Sequence, residues 1–212
     1  MEIIKMVESK MGQNTYLVVD EKDAIIIDCG VGVDVIEENL RVYSHKPKVR
    51  GVFLTHSHFD HIRELDAILD KYECPAYIAK EGKKMLYDAD KNLSIMESPF
   101  VIKEKKGINT FKDLDTITMG DNISIKCYLT PGHSIDSACF AIGGNLFTGD
   151  TLFKIDSGRT DLYSGDNNML KISLERILNE LSVDIDNFYP GHGANFDGSD
   201  MKYNIERLTG DM

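Results

Sequence analysis

The sequence is short of basic residues, with 24 Lys and Arg against 35 Asp and Glu and a formal net charge of −11. Proteins that bind nucleic acid through its phosphates need a surplus of Lys and Arg to displace counterions. The chain also has no apolar run that approaches the roughly 20 residues of a membrane-spanning helix. We therefore expect neither a nucleic acid nor a membrane as a partner.

Cysteine is scarce as well, and the four residues Cys29, Cys74, Cys127 and Cys139 form no C-x-x-C pair. Cys127 and Cys139 lie in apolar, strand-like surroundings, where we expect small buried hydrophobic residues. The first eight residues lack the apolar segment of a secretory signal. These features favour a protein of the reducing cytoplasm.

The 212 residues, 42% of them hydrophobic, suit one domain that spans residues 1–212 and buries a full core. Both halves combine short apolar strands with segments of helical spacing. This pattern predicts two packed sheets covered by helices on both outer faces, a four-layer α/β/β/α sandwich. Strands are predicted at 2–8, 15–20, 24–28, 49–54, 76–79, 115–119, 123–129, 137–142, 145–148 and 186–190, helices at 32–44, 62–72, 80–90, 168–182 and 199–209, and a solvated turn at 103–107.

Residues 55–61, Thr-His-Ser-His-Phe-Asp-His, directly follow the strand predicted at 49–54. Imidazole nitrogen and carboxylate oxygen are ligands that divalent metals such as zinc prefer. His56 and His58 share one side of an extended segment, whereas Asp60 and His61 point elsewhere. The motif therefore favours two neighbouring metal ions over one.

Three further residues of ligand type follow predicted strands. His133 comes after the strand at 123–129, Asp150 after that at 145–148 and His192 after that at 186–190. Each is preceded directly by a glycine, which permits close approach of the backbone. These residues could complete a centre that holds two metal ions.

His56-x-His58-x-Asp60-His61, followed by His133, Asp150 and His192, resembles the metallo-β-lactamase superfamily over nearly the whole chain. Residues 148–153 and 157–161 are similar to its glyoxalase II-like (hydroxyacylglutathione hydrolase-like) branch. The resemblance implies two divalent metal ions per chain, with zinc expected and iron or manganese also accepted by such ligands. His56, His58 and His133 would hold one ion, Asp60, His61 and His192 would hold the other, and Asp150 would bridge them.

The resemblance further implies a metal-dependent hydrolase of a small-molecule thioester. A metal-bridging hydroxide would be the nucleophile, since a bound metal lowers the pKa of water to about 7, and the chain has no G-x-S-x-G motif. Asp60 and Asp150 would be catalytic, and Arg159 would pair with a carboxylate of the thiol carrier. Because only residues 193–212 follow His192, we expect no helical domain of the kind with which full glyoxalase II enzymes bind glutathione.

Other functions fit the same sequence. A persulfide dioxygenase of this superfamily would use one Fe(II), held by His56, His133 and Asp150, to activate O₂. An inactive metal-binding module would keep the ligands without turnover. A β-lactamase is less favoured, because Asp150 stands where those enzymes often use cysteine. Asp28, at a strand end, is a candidate either for support of the metal ligands or for a simple turn, and His45 is expected in solvent.

Overall fold

The computed structural model describes residues 1–103 and 107–211. The first half contains strands β1 (Glu2–Val7), β2 (Asn14–Asp20), β3 (Asp23–Ile27), β4 (Lys48–Phe53), β5 (Ala76–Ala79) and β6 (Ile108–Phe111), helices α1 (Val33–Leu40), α2 (Phe59–Ile62), α3 (Leu65–Tyr72) and α4 (Gly82–Met85), and a 3₁₀ turn at Ser94–Met96. The six strands form one sheet in sequence order. Strands β1 to β3 pair antiparallel, and β3 to β6 pair parallel.

The second half forms another six-stranded sheet. Its strands are β7 (Thr116–Met119), β8 (Ile123–Leu129), β9 (Ala138–Ile142), β10 (Asn145–Gly149), β11 (Asn187–Pro190) and β12 (Phe196–Asp197). Helix α5 (Asn167–Arg176) continues into a π-helical turn at Ile177–Leu181, and α6 spans Gly198–Asp211. The sheet is antiparallel except for the parallel pair β10 and β11.

Successive side chains of a strand point to opposite faces of the sheet, so the apolar side chains fall into three layers. In β2, Leu17 packs toward the helices of the first half, whereas Tyr16 packs toward the second sheet. The layer between the sheets holds large aromatic residues, including Phe53 and Phe140 with ring centroids 5.6 Å apart. Helices α5 and α6 cover the outer face of the second sheet through residues such as Leu174. The four-layer α/β/β/α fold predicted from the sequence is confirmed.

Several elements differ from their predicted bounds. The helix predicted at 62–72 begins at Leu65 as α3, and a separate short helix, α2, precedes it and includes Asp60 and His61. The helix predicted at 80–90 is the single turn α4. Strand β6 was not predicted, because exposed Asn109 and Thr110 stand together between its two buried ends and break the alternation on which strand prediction depends.

The predicted turn at 103–107 includes residues 104–106, which lie outside the described residues. Within the described parts of the chain, no helix combines the length and the apolar character needed to span a membrane.

Candidate metal centre

The histidine motif begins in the turn between β4 and α2 and ends within α2. The backbone N–H of Ala138 donates to Thr55 O at 2.9 Å and ties this turn to the second sheet. His58 is still extended (φ −64°, ψ 146°), and α2 begins at the next residue. This change of backbone conformation separates the two histidines before the helix from the Asp60 and His61 within it.

The other predicted ligands follow strands of the second sheet. His133 lies in the turn after β8, Asp150 directly follows β10, and His192 lies just after β11. Strands β8 and β10 both pair antiparallel with β9, and β11 is parallel to β10. The three strands therefore run in the same direction, and their carboxyl ends meet at one edge of the sheet.

The predicted ligands form two adjoining groups. In each group, one ligand atom per residue lies within 4.8 Å of the others. We call them the three-histidine cluster (His56, His58 and His133) and the carboxylate cluster (Asp60, His61 and His192). His56, His61 and Asp150 form a third such group that overlaps both.

Asp150 lies between the two clusters. Its Oδ2 is 3.6 Å from Nε2 of His133 and 3.6 Å from Nε2 of His192. Its Oδ1 is 3.4 Å from Nε2 of His61. One carboxylate therefore contacts both clusters, which is the position that the predicted bridging role requires; the role itself stays a prediction.

Backbone carbonyls fix two of the histidine rings. His133 Nδ1 donates to Arg159 O at 2.7 Å, and His192 Nδ1 donates to Met11 O at 3.2 Å. Because a carbonyl oxygen only accepts, Nδ1 of each ring carries a proton, so in the neutral ring it is Nε2 that has the lone pair for a metal. Both Nε2 atoms are the ones that approach Asp150.

Asp28 fixes two more rings, one directly and one through Thr55. Its carboxylate accepts the backbone N–H and the hydroxyl of Thr55, each at 2.8 Å, and lies 2.8 Å from His61 Nδ1. The Thr55 hydroxyl gives its proton to Asp28 and so accepts from His56 Nδ1 at 3.1 Å. Nε2 of both rings therefore faces the centre. Asp28 holds the two rings in place, and support of the metal ligands is one of the two roles that the sequence suggested for it.

The arrangement of donors fits divalent metal ions. Nε2 of His56 and His61 and Oδ1 of Asp150 are buried without a hydrogen-bond partner, and Nδ1 of His58 lies 2.9 Å from Nε2 of His133. A buried polar atom without a partner costs about 1–3 kcal/mol, so three at one place indicate a ligand that binds them. Nitrogen and carboxylate donors of this kind suit zinc, iron or manganese.

Two rings of the three-histidine cluster, those of His56 and His58, are held uncharged. Burial lowers the pKa of His56 well below its ordinary value, and the neighbouring rings of His61 and His58 lower it further. Burial and the ring of His133 lower the pKa of His58 to about 3. These rings are therefore neutral near pH 7, the form in which imidazole binds a metal.

The carboxylate cluster is strongly charged. Burial alone would lower the pKa of His61, but the carboxylates of Asp150, Asp60 and Asp28 outweigh it and raise that pKa well above its ordinary value. The pKa of His192 is also raised, since hydrogen bonding to Asp60 and the charge of Asp150 outweigh its burial. Burial would raise the pKa of Asp150, but the surrounding histidines hold it below its usual range.

Two glycines permit the ligands to approach the backbone closely. A Cβ at Gly191 would clash with the carboxylate of Asp150 and the ring of His61. A Cβ at Gly158 would clash with the backbone carbonyl of Asp150 and the ring of His133. Packing at this centre therefore requires glycine at positions 191 and 158.

The centre forms the floor of a cavity of about 660 Å³. Arg159 lies on the cavity wall, but its guanidinium donates to both carboxylate oxygens of Asp161 at 2.6 Å. The substrate-binding role predicted for Arg159 stays a prediction. His45 is exposed and hydrogen-bonds Glu21 O at 3.1 Å, as expected for a residue outside the centre.

Sequence analysis missed Gln13. This fully buried side chain donates to Asn14 O at 2.7 Å and lies 3.4 Å from His61 Nδ1, and its backbone bridges to His192. It precedes the strand predicted at 15–20, and its partners are distant in sequence. No local spacing pattern identifies such a residue.

The chain matches the metallo-β-lactamase superfamily over residues 10–192. A probable metallo-hydrolase of Methanocaldococcus jannaschii is 31% identical over 196 residues, which cover 90% of this chain and 92% of that protein. The solved structure of the BLEG-1 B3 metallo-β-lactamase superposes with a TM-score of 0.87 at 26% identity and covers 98% of this chain and 100% of that one. ETHE1 from Myxococcus xanthus has the same fold (TM-score 0.77, 24% identity, 99% and 85% covered).

The fold of these relatives is the one observed here, with two groups of metal-ligand residues at one edge of the paired sheets. The relatives and the ligand set indicate a metal-dependent enzyme of the hydrolase type. The chain belongs to the metallo-β-lactamase superfamily.

Proposed function

We propose that this protein hydrolyses thioesters of small molecules with two divalent metal ions. The observation that carries the proposal is the pair of clusters joined by Asp150 at the floor of a cavity. The three-histidine cluster would hold one ion, the carboxylate cluster the other, and Asp150 would contact both. Zinc suits these donors best, with iron or manganese as alternatives.

Bound there, the ions would supply a Lewis acid for the carbonyl oxygen and would bring the pKa of a water molecule close to neutrality. Asp60 would orient that water. Burial would raise its pKa, but His61 and His192 lower it, so the carboxylate is ionised and accepts hydrogen bonds. Asp60 Oδ2 lies 3.1 Å from His192 Nε2, within the carboxylate cluster.

Hydrogen bonds behind the rest of the ligand shell would hold it in shape. The Asp28–Thr55–His56 hydrogen-bond chain and the carbonyls that bind His133 and His192 hold the rings in one tautomer. Such fixed ligands need little reorganisation when charge develops on the substrate. Asp60 and Asp150 are therefore proposed as catalytic, and the other ligands as the frame that positions them.

A thioester is favoured over an amide by what lines the cavity. Amine leaving groups must be protonated by a general acid, whereas a thiol with a pKa near 8–9 can leave as the thiolate. Among the described residues that line the cavity, Glu97 is the one acidic residue besides Asp60 and Asp150. It is paired with Lys10 and Arg63. The histidines that line the cavity are assigned to the metal ions, so no further side chain among the described lining residues is left to act as that acid.

The test is elemental analysis of protein purified without added metal or chelator, with turnover measured on the same sample. We expect about two metal ions per chain and hydrolysis of thioesters, both lost after treatment with chelator and restored by Zn²⁺. One iron per chain with oxygen uptake on a persulfide would support the dioxygenase instead. Full metal occupancy without turnover of any thioester would contradict the proposal.

A further inference from the structure

The wall of the cavity above the two clusters is mostly apolar. The side chains come from both halves of the chain, namely Met11, Phe59, Leu93, Met96, Phe153 and Leu162. Met11 is 47% exposed and Met96 is 65% exposed. Large apolar side chains that gather around one opening, instead of lying scattered over the surface, are typical of a binding site.

The charged side chains of this wall are already paired. Apart from the two clusters and Asp150, the charged residues among the described lining are Glu97 and Arg159. Glu97 forms ion pairs with Lys10 at 3.4 Å and with Arg63. Arg159 donates two hydrogen bonds to Asp161. An anionic group bound at this wall would have to displace Asp161 before it could pair with Arg159.

We propose that the substrate group in this cavity is uncharged and apolar, such as an aliphatic or aromatic acyl chain of several carbons. The inference rests on the proposed thioester hydrolysis and names its substrate class. A cavity of about 660 Å³ has the size of ordinary small-molecule sites, roughly 300–1,000 Å³. The flexible thioethers of Met11 and Met96 can pack against chains of different shape. This assignment opposes the carboxylate contact predicted for Arg159.

The experiment uses the metal-replete protein and two series of thioesters. The first series has acyl chains from acetyl to octanoyl on the uncharged thiol N-acetylcysteamine. The second has the same acyl chains on glutathione, which is anionic. We expect kcat/KM in the first series to rise by up to about fourfold for each methylene that becomes buried. At equal chain length, we expect the uncharged thiol ester to be hydrolysed at least as well as the glutathione ester.

Substitution of Met96 tests the wall directly. Met96→Glu places a charge beside the acyl chain, and we expect the octanoyl-to-acetyl ratio of kcat/KM to fall by about tenfold or more. Val183→Gln is the matched control, because Val183 is a 74% exposed apolar residue that does not belong to the cavity lining. This control should keep the ratio of the parent protein.

Substitution of Asp161 tests the charge argument. Asp161→Ala leaves Arg159 without its carboxylate partner, so kcat/KM for the glutathione esters should rise several-fold while that for the uncharged esters does not. An unchanged preference in this variant would show that the ion pair does not exclude anions and would overturn that part of the inference.

The outcomes separate the two proposals. Hydrolysis of thioesters without dependence on chain length, or a tenfold preference for glutathione esters in the parent protein, would overturn the inference and leave the hydrolase function intact. No hydrolysis of any thioester would overturn the proposed function, and the inference with it.

Discussion

The three-histidine cluster and the carboxylate cluster lie side by side but differ in charge and in access to solvent. His56 and His58 are fully enclosed, and their burial keeps the rings neutral without any carboxylate partner. In the carboxylate cluster, acidic neighbours raise the pKa of His61 and His192, and His192 is 25% exposed. The first site is therefore ready for a metal, whereas the second must lose protons when a metal binds.

This difference in pKa follows from the groups that surround the histidine rings. The three-histidine cluster is backed by neutral groups, the Thr55 hydroxyl and the Arg159 carbonyl. In the carboxylate cluster, His61 lies among the carboxylates of Asp150, Asp60 and Asp28, the last of them behind the ring. We infer that the two proposed ions are not equivalent, and that the one in the carboxylate cluster is held less firmly at acidic pH.

The largest effect is expected from removing the residue that the clusters share. Asp150→Ala should remove metal from both clusters and lower kcat/KM by at least about a thousandfold, because both metals and the fixed charge are lost together. Elemental analysis and turnover on one sample measure this. His45→Ala is the control and should stay within about twofold of the parent. An active Asp150→Ala protein with full metal content would contradict the bridging role.

A smaller effect is expected from a ligand of one cluster alone. His192→Ala should lower metal content from about two ions to about one, because the three enclosed histidines remain, and should lower kcat/KM by about a hundredfold. Metal content and kinetics again provide the measurement. If His192→Ala lost both ions, the clusters would bind their metals as one unit and the comparison would fail.

A residue behind the ligands should affect one cluster more than the other. Asp28→Asn keeps the shape of the side chain but removes the charge that pairs with His61, and changes of this kind cost about 10–100-fold in metal affinity. We expect competition with a chelator to remove one ion more easily than in the parent protein. Equal weakening of both ions would show that Asp28 acts on the whole centre through Thr55.

The smallest effect is expected in the pH dependence of metal content, which should differ between the two clusters. Groups with raised pKa values take up protons first as the pH falls, so His61 and His192 should release their metal before His56 and His58, and activity should fall as the pH drops through about 6. His58, with a pKa of about 3, should stay neutral throughout this range. Metal content measured from pH 8 to pH 5 should therefore fall in two steps. A single step, or activity that stays flat down to pH 5, would contradict this ordering.

The sequence predicted the layers of the fold because most strands alternate or are continuously apolar, as β2, β3 and β10 are. It failed where that pattern is absent. The two middle residues of β6 are exposed polar ones, and β12 has two residues, too few for a pattern. The helix predicted at 62–72 was wrong at its start, because the local spacing does not show that Asp60 and His61 already belong to a helical turn.

The sequence by itself determined which types of residue form the metal centre and that they follow the ends of strands. His56, His58, His133 and Asp150 are read directly from their motifs, since ligand chemistry belongs to the side chain and strand ends are local features. Only the tertiary structure decided which nitrogen of each ring faces inward, which histidines are neutral, and that Asp161 already pairs with Arg159. Most of these properties depend on burial and on contacts between segments far apart in the chain, and no local pattern encodes them.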